Sequence, residues 1–341
     1  MKNNTPLQTA RPRRARFFAA TAAAFILIGG GAVGYALVAR EDTPNCDSLL
    51  SDTALRRSLG AAYKEGMDCR ALGTAIKDAA TGSTPGRHTL AEARAMQATV
   101  TAVSEAIERR REPTIAPELR APLAGALVDY AQDTQEILSG VNDEYTHRED
   151  STPWQDGSTV RMSARTDDLV TVLHAVSQDP AAYADLRAAH VRQCATRLAE
   201  VPAHATGPYY TWPARSCAAG LGYYDSIADD IPKSQAEQWR SDVLQRLTRT
   251  AGSPPPYKVN RARYIAGSWQ QAVIEQVDAG QDLFLQDDSS RIINIWAAAR
   301  GEDIYSTKVH ALKQKTANDA GTSLVDAGKA LRCTRHPAEC G

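Results

Sequence analysis

Residues 89–111 read TLAEARAMQATVTAVSEAIERRR and carry the signals of a long amphipathic α-helix. Thr89 and Glu92 match the capping-box pattern, in which each side chain accepts a hydrogen bond from the other residue's backbone N–H. Four apolar residues then recur at intervals of four, three and four: Met96, Val100, Val103 and Ile107. This spacing places them on one face, so the stretch predicts a long helix with an apolar seam.

The same helical signals continue on both sides of this stretch. Pro117 stands at a position typical of a first helical turn, and an apolar seam then extends to Gly140, which can end a helix. Asp179 and Pro180 can begin another helix, which we expect to reach Glu200. Alternating runs of β-branched and aromatic residues, the sign of strands, do not stand out. The predicted fold class is therefore all-α, a helical bundle.

Residues 141–159, VNDEYTHREDSTPWQDGST, interrupt the helical pattern. They are polar, they contain Pro153 and Gly157, and they have no helical period. We interpret them as a connector between two helical subdomains, residues 46–140 and residues 160–341.

The six cysteines predict disulfide bonds. All of them follow residue 45, and an even number is typical of exported proteins, in which thiols oxidise. They fall into three local groups, which suggests the pairs Cys46–Cys69, Cys194–Cys217 and Cys333–Cys340. The last pair and His336 together offer three metal ligands, but a zinc site would need a fourth. We therefore expect structural disulfides, no metal ion and no other cofactor.

Residues 17–39, FFAATAAAFILIGGGAVGYALVA, form an uncharged stretch long enough to cross a membrane. As a helix, these residues would extend about 34 Å, more than the thickness of a hydrocarbon core. Five basic residues and no acid lie in residues 1–16. The positive-inside rule therefore makes residues 1–16 a cytoplasmic tail. We predict a single-pass signal anchor at the cell membrane, followed by a linker over residues 40–45 and an extracytoplasmic domain.

Two alternatives remain open for this segment. A cleavable secretory signal would use Gly34-Tyr35-Ala36 as its cleavage site and would release the rest of the chain as a secreted protein. A retained segment could instead pair two copies through Gly30 and Gly34, because that spacing lets two membrane helices approach closely. A homodimer is therefore conceivable.

The distribution of charge argues against nucleic-acid binding. The chain has 39 basic and 40 acidic residues, and removing the 5 basic residues of the tail leaves 34 against 40. A nucleic-acid interface needs a clustered excess of Lys and Arg. We expect a partner in the cell envelope instead, either a neighbouring protein or a wall polymer.

The strongest hint of binding is an aromatic group near residue 210. Residues 201–216 break the helical pattern with three prolines and a glycine, and they contain three large aromatic residues: Tyr209, Tyr210 and Trp212. We expect a proline-stiffened loop whose rings contact a sugar or another protein. The alternative is that the rings fold back onto the core beside the Cys194–Cys217 bridge. His190, in the middle of an apolar helical face, is expected to be a structural core residue.

No catalytic residue can be assigned from the sequence, which contains no metalloprotease, serine-hydrolase or phosphate-loop motif. Asp129, Asp133 and Glu136 share one helical face, which we interpret as a solvated stripe. The favoured function is a non-catalytic binding or scaffolding role of a membrane-anchored helical protein at the cell envelope. The alternatives are an all-α hydrolase of envelope polymers and an exported effector released by signal cleavage.

Overall fold

The computed structural model describes residues 46–149, 151–249, 252–279, 284–285 and 287–340. The predicted tail, membrane segment and linker, with Gly30 and Gly34, lie outside these ranges. Within them, no helix combines the length and the apolar character that a membrane crossing requires. The described residues belong to one compact unit.

Fourteen α-helices make up most of the described residues, as the all-α prediction requires. Those before the hairpin are α1 (Cys46–Ser51), α2 (Thr53–Leu59), α3 (Cys69–Ala80), α4 (Leu90–Arg110), α5 (Pro117–Asp129), α6 (Ala131–Ser139) and α7 (Asp143–His147). The hairpin consists of β1 (Trp154–Asp156) and β2 (Thr159–Arg161). Those after it are α8 (Thr166–Val176), α9 (Pro180–Glu200), α10 (Pro208–Asp229), α11 (Lys233–Thr248), α12 (Arg261–Asp278), α13 (Asp288–Ala299) and α14 (Thr307–Arg335). Short 3₁₀ turns cover Gly60–Ala62 and Pro337–Glu339.

Helix α4 has the start and the seam that its sequence predicts. Glu92 N–H donates to Thr89 Oγ1 at 3.3 Å, and Thr89 N–H donates to Glu92 Oε2 at 2.6 Å, which completes the capping box. The four seam residues are all fully buried: Met96, Val100, Val103 and Ile107. Local chemistry therefore determines this helix, and its apolar face packs against helices on both sides of the predicted connector.

The helix expected from Pro117 to Gly140 is divided at Tyr130. This residue leaves the helical conformation, with φ −92° and ψ 24°, and its buried hydroxyl donates to Ala80 O at 2.9 Å. The predicted solvated stripe after this point is wrong, because Asp133 and Glu136 are both buried. Their partners come from other elements, which a helical-face argument does not include.

The predicted connector has local structure of its own. It contains α7 and β1, and its last residue begins β2 of the antiparallel hairpin, in which Trp154 lies opposite Arg161 and Gly157 makes the turn with φ 58°. The strands are only three residues long, too short for an alternating pattern to be recognised. Helices from both sides of residues 141–159 pack together, α5 against α9 and α4 against α8.

The three disulfides join the pairs that the sequence suggests. Cys46–Cys69 links α1 to α3, Cys194–Cys217 links α9 to α10, and Cys333–Cys340 closes the end of α14. Removing any of these bridges would free a loop in the unfolded chain, so each contributes to stability.

A buried ion network at α9 was not predicted from the sequence. Arg187 is fully buried, and its guanidinium donates to Asp225 at 2.7 Å, to Asp288 at 2.8 Å and to the Tyr183 hydroxyl at 2.8 Å. These contacts connect α9 with α10 and with the start of α13. A buried guanidinium needs such partners, because an unpaired charge in a protein interior is costly.

Helices α10 and α14 form an extensive interface that depends on one glycine. A Cβ atom built on Gly222 would lie 2.1 Å from the carbonyl oxygen of Ala320. Only a residue without a side chain fits at this position, so the two backbones approach closely there. The interface fixes the position of α10 against α14.

Candidate functional site

Helix α10 begins earlier than the sequence predicts, so the expected aromatic loop is largely helical. Gly207 precedes the helix with φ 58°, and Pro208 is its first residue, where the missing N–H of proline costs nothing. Pro213 lies inside the helix and removes one backbone hydrogen bond without ending it. The expected loop within residues 201–216 is wrong from Pro208 onward, because a proline in the first turn of a helix does not break it.

Two of the three predicted aromatic residues project into solvent. The side chain of Tyr209 is 80% exposed and that of Trp212 is 52% exposed. They are three residues apart on a helix and therefore neighbours on its surface. Both line a groove of about 610 Å³ formed by the α6–α7 turn, the C-terminal end of α9 and the first turns of α10.

The third aromatic residue, Tyr210, points away from this groove. It is 3% exposed, and its hydroxyl donates to Glu302 Oε2 at 2.6 Å. Its ring packs against Trp296 with 5.1 Å between centroids, and Lys308 Nζ lies 3.7 Å from the ring centroid. Burial and the hydrogen bond to Glu302 raise the pKa of this phenol. Tyr210 therefore anchors the start of α10 and does not line the groove.

The groove carries excess negative charge. Glu136 and Arg197 form an ion pair on one wall, and Asn142 Nδ2 donates to the other oxygen of Glu136 at 3.3 Å. Three further carboxylates line the groove, are exposed and have no ion-pair partner in the described part of the chain: Asp143, Glu144 and Glu200. Because Glu136 balances the charge of Arg197, the three unpaired carboxylates give the groove a negative net charge.

The wall at residues 201–203 is held by Arg300. Its guanidinium donates to the carbonyl oxygens of Val201 at 2.8 Å, Pro202 at 2.9 Å and Ala203 at 2.9 Å. The same group stacks on the ring of Trp296, 4.9 Å from its centroid. These contacts fix the turn between α9 and α10, so the groove is formed before any ligand arrives.

The lining of the groove combines apolar surface with one polar contact. Val201, Pro208 and Pro213 contribute apolar atoms. Ser216 also lines it, and its hydroxyl accepts a hydrogen bond from Gln135 Nε2 at 3.3 Å. Apolar surface with a few fixed polar groups is typical of binding sites.

Asp133 is a second buried acid, three residues before Glu136, but it lines a different cavity. Burial raises its pKa to about 6, while the Tyr145 hydroxyl, which donates to it, and Arg161, 3.9 Å away, favour the ionised form. It lines a cavity of about 350 Å³ together with Asp129 and Arg161. The raised pKa therefore does not place a proton donor beside the exposed rings.

His190 and the Cys194–Cys217 bridge have structural roles in the core. His190 is buried as expected, and its Nε2 lies 3.1 Å from Cys217 O. Burial lowers the pKa of the imidazole to about 4, so it is neutral at pH 7. His190, Cys194 and Cys217 place their ligand atoms within 4.8 Å of one another. The two sulfur atoms are bonded to each other, however, and cannot coordinate a metal as thiolates.

Comparisons with protein-family models, with curated proteins and with solved structures found no match to this chain.

Proposed function

We propose that this protein is a non-enzymatic binding protein of the cell envelope, and that its groove holds a basic, partly apolar segment of a partner protein. The observation that carries the proposal is the pair of exposed rings, Tyr209 and Trp212, beside unpaired carboxylates in a preformed groove. A large ring left in water has apolar surface that a partner can cover, and Tyr and Trp are enriched where partners bind.

Charge favours a basic segment over a neutral glycan. Asp143, Glu144 and Glu200 would attract Lys or Arg side chains, and the faces of Tyr209 and Trp212 can accept the same cations through cation–π contacts. A glycan would use the rings and leave the carboxylates without a charged partner. The apolar residues that line the groove suit the aliphatic parts of a peptide.

The composition of the groove supports binding more than hydrolysis. Hydrolysis of the glycosidic bonds of an envelope polymer typically needs one carboxylic acid that donates a proton and a second carboxylate nearby. Glu136, the buried carboxylate of the groove, is engaged by both Arg197 and Asn142. Asp133, whose pKa is raised, lines a separate cavity.

The location that we propose is extracytoplasmic, with residues 17–39 as the membrane anchor. The uncharged stretch and the basic tail before it support this orientation. Three disulfides and no free cysteine in the described residues support an oxidising compartment. Protease treatment of intact cells should digest a C-terminal tag, and N-terminal sequencing of the mature protein separates an anchor from a cleaved signal or a released effector.

A photo-cross-linking experiment tests the binding proposal. A benzoylphenylalanine at position 209 replaces one exposed ring with another, and the same group at Tyr305, 85% exposed and outside the groove, is the control. We expect position 209 alone to cross-link a protein, through a segment that contains Lys or Arg. A cross-link to a glycan or to an acidic segment would reject the proposed partner chemistry, and equal cross-linking from position 305 would reject the site.

Variants then measure what the rings and the charges contribute. Tyr209→Ala with Trp212→Ala should weaken binding of the mapped segment by about 2–4 kcal/mol, since exposed aromatic anchors dominate interface energies. Tyr305→Ala should leave it unchanged. Neutralising the three groove acids, Asp143→Asn, Glu144→Gln and Glu200→Gln, should slow association and reduce its dependence on salt. The matched control neutralises three exposed acids elsewhere, Glu237, Glu275 and Asp278; equal effects of both triple variants would contradict the assignment.

A further inference from the structure

A second pocket, of about 300 Å³, lies among α9, α11 and α12, and its lining has a net positive charge. Three arginines line it: Arg192 on α9, Arg246 on α11 and Arg249 directly after α11. One acid, Asp185, is also part of the lining. The residues of this pocket are distinct from those of the groove beside α10.

The charges in this pocket are not balanced. Arg246 forms a bidentate ion pair with Asp185. Its Nε donates to Oδ1 at 3.0 Å and its Nη2 donates to Oδ2 at 2.9 Å. The guanidinium groups of Arg192 and Arg249 have no hydrogen-bond or ion-pair partner among the residues that the structure describes. Two positive charges are therefore in excess at one concave surface.

The pocket also contains a hydrogen-bond donor that lacks an acceptor. Trp269 lines the pocket, its side chain is 2% exposed, and its indole N–H is buried without a partner in the described chain. A buried N–H without an acceptor is destabilising, and most such groups in proteins are paired. The surrounding wall includes Ala188 and Ala266, which offer no side-chain acceptor. An incoming group with acceptor oxygens would satisfy this donor.

We propose that this pocket binds a phosphate group. Planar guanidinium groups match the geometry of phosphate oxygens and remain charged at any physiological pH. Two unpaired guanidinium groups and one buried N–H line the same pocket, and all three can donate to the oxygens of a tetrahedral anion. The volume accommodates a phosphate with one glycerol or sugar unit attached, so the source is either a lipid headgroup or a phosphate on a soluble or polymeric molecule.

Calorimetric titration of the full-length protein in zwitterionic detergent tests this proposal. The probes are inorganic phosphate, glycerol 3-phosphate, dihexanoyl phosphatidylglycerol and, as the competing anion, acetate. We expect saturable binding of the three phosphate-bearing probes and much weaker binding of acetate. No saturable binding of inorganic phosphate and glycerol 3-phosphate, or equal binding of acetate, would overturn the proposal.

The comparison of probes also identifies the source of the phosphate. Tighter binding of dihexanoyl phosphatidylglycerol than of glycerol 3-phosphate would support a lipid headgroup, provided that dihexanoyl phosphatidylcholine does not bind equally well. Equal affinity of dihexanoyl phosphatidylglycerol and glycerol 3-phosphate would support a soluble or polymer-borne phosphate.

Variants assign the binding to these residues. Arg192→Gln with Arg249→Gln should lower phosphate affinity by about tenfold to a hundredfold, as expected for the loss of charge-assisted hydrogen bonds. Trp269→Phe keeps the ring and removes the N–H, and it should lower affinity by about fivefold. Arg57→Gln with Arg94→Gln changes the net charge equally at two exposed arginines elsewhere. The site assignment is refuted if this control loses as much affinity as the pocket variant.

Discussion

The substitution Gly222→Ala tests the close contact between α10 and α14. A Cβ atom at this position would lie 2.1 Å from Ala320 O, 2.8 Å from Ala320 C and 2.9 Å from Ala320 Cα. An ordinary contact begins near 3.4 Å, so the methyl group would overlap the carbonyl oxygen by about 1.3 Å. Backbone atoms cannot rotate away as a side chain can, and the helices must therefore separate.

The expected cost follows from two opposing effects. Overpacking of a well-packed core typically costs about 1–3 kcal/mol and occasionally more, and an overlap with fixed backbone on both sides belongs to the upper end. Alanine regains about 1 kcal/mol because it is a better helix former than glycine. We expect Gly222→Ala to lower the free energy of unfolding by about 2 kcal/mol.

Gly321→Ala on α14 provides the matched control. Apart from its chain neighbours and the nearby backbone of its own helix, no described atom lies within 4 Å of the position where its Cβ would be, so only the gain in helix propensity remains. We expect this variant to be more stable than the wild type by about 0.5–1 kcal/mol. The same chemical change should therefore have opposite effects at Gly222 and Gly321.

Urea unfolding under oxidising conditions, followed by circular dichroism and by tryptophan fluorescence, measures both variants. Coincident transitions from the two probes justify comparing free energies. If Gly222→Ala proves as stable as Gly321→Ala, the helices do not approach at this point and the packing described for α10 is incorrect.

Three further predictions concern stability. Replacing Cys194 and Cys217 by serine should lower the free energy of unfolding by about 3 kcal/mol, because the bridge spans 23 residues of sequence; unchanged urea midpoints would contradict this. Burial raises the pKa of Asp133 from 3.8 to about 6, so the folded state binds this proton more tightly than the unfolded state does, and stability should fall by about 2 kcal/mol as pH rises from 4 to 6. Asp133→Asn should remove that part of the pH dependence, and identical pH profiles of the two proteins would disprove it. Asp288→Asn should cost about 3–5 kcal/mol because it leaves Arg187 buried with one charged partner fewer, and a thermal midpoint equal to that of the wild type would contradict this expectation.

Helix positions could be predicted from the sequence where local chemistry determines them. The capping box at Thr89 and Glu92, the Asp179 cap and the apolar seam of α4 all involve residues within one or two turns. The three cysteine pairs could also be suggested from the sequence, since each joins residues close in sequence.

The charged groups were misjudged because their partners are remote. Glu136 pairs with Arg197, 61 residues later, and Arg187 meets Asp288, 101 residues later. A periodic pattern reports which side chains share a face, but it does not report what packs against that face. The predicted solvated stripe was therefore wrong, and the break at Tyr130 also places Asp129 on a different helix from Asp133 and Glu136.

The sequence by itself determined that an aromatic group stands near residue 210, that the described chain is mostly helical and that the six cysteines fall into three local groups. Only the tertiary structure decided which rings are exposed. Successive helical residues point in directions about 100° apart, so Tyr209 and Trp212 face the groove when Tyr210 is held by Glu302 and Trp296. That choice depends on how α10 packs against α13 and α14, and packing between distant segments is not encoded in any local pattern.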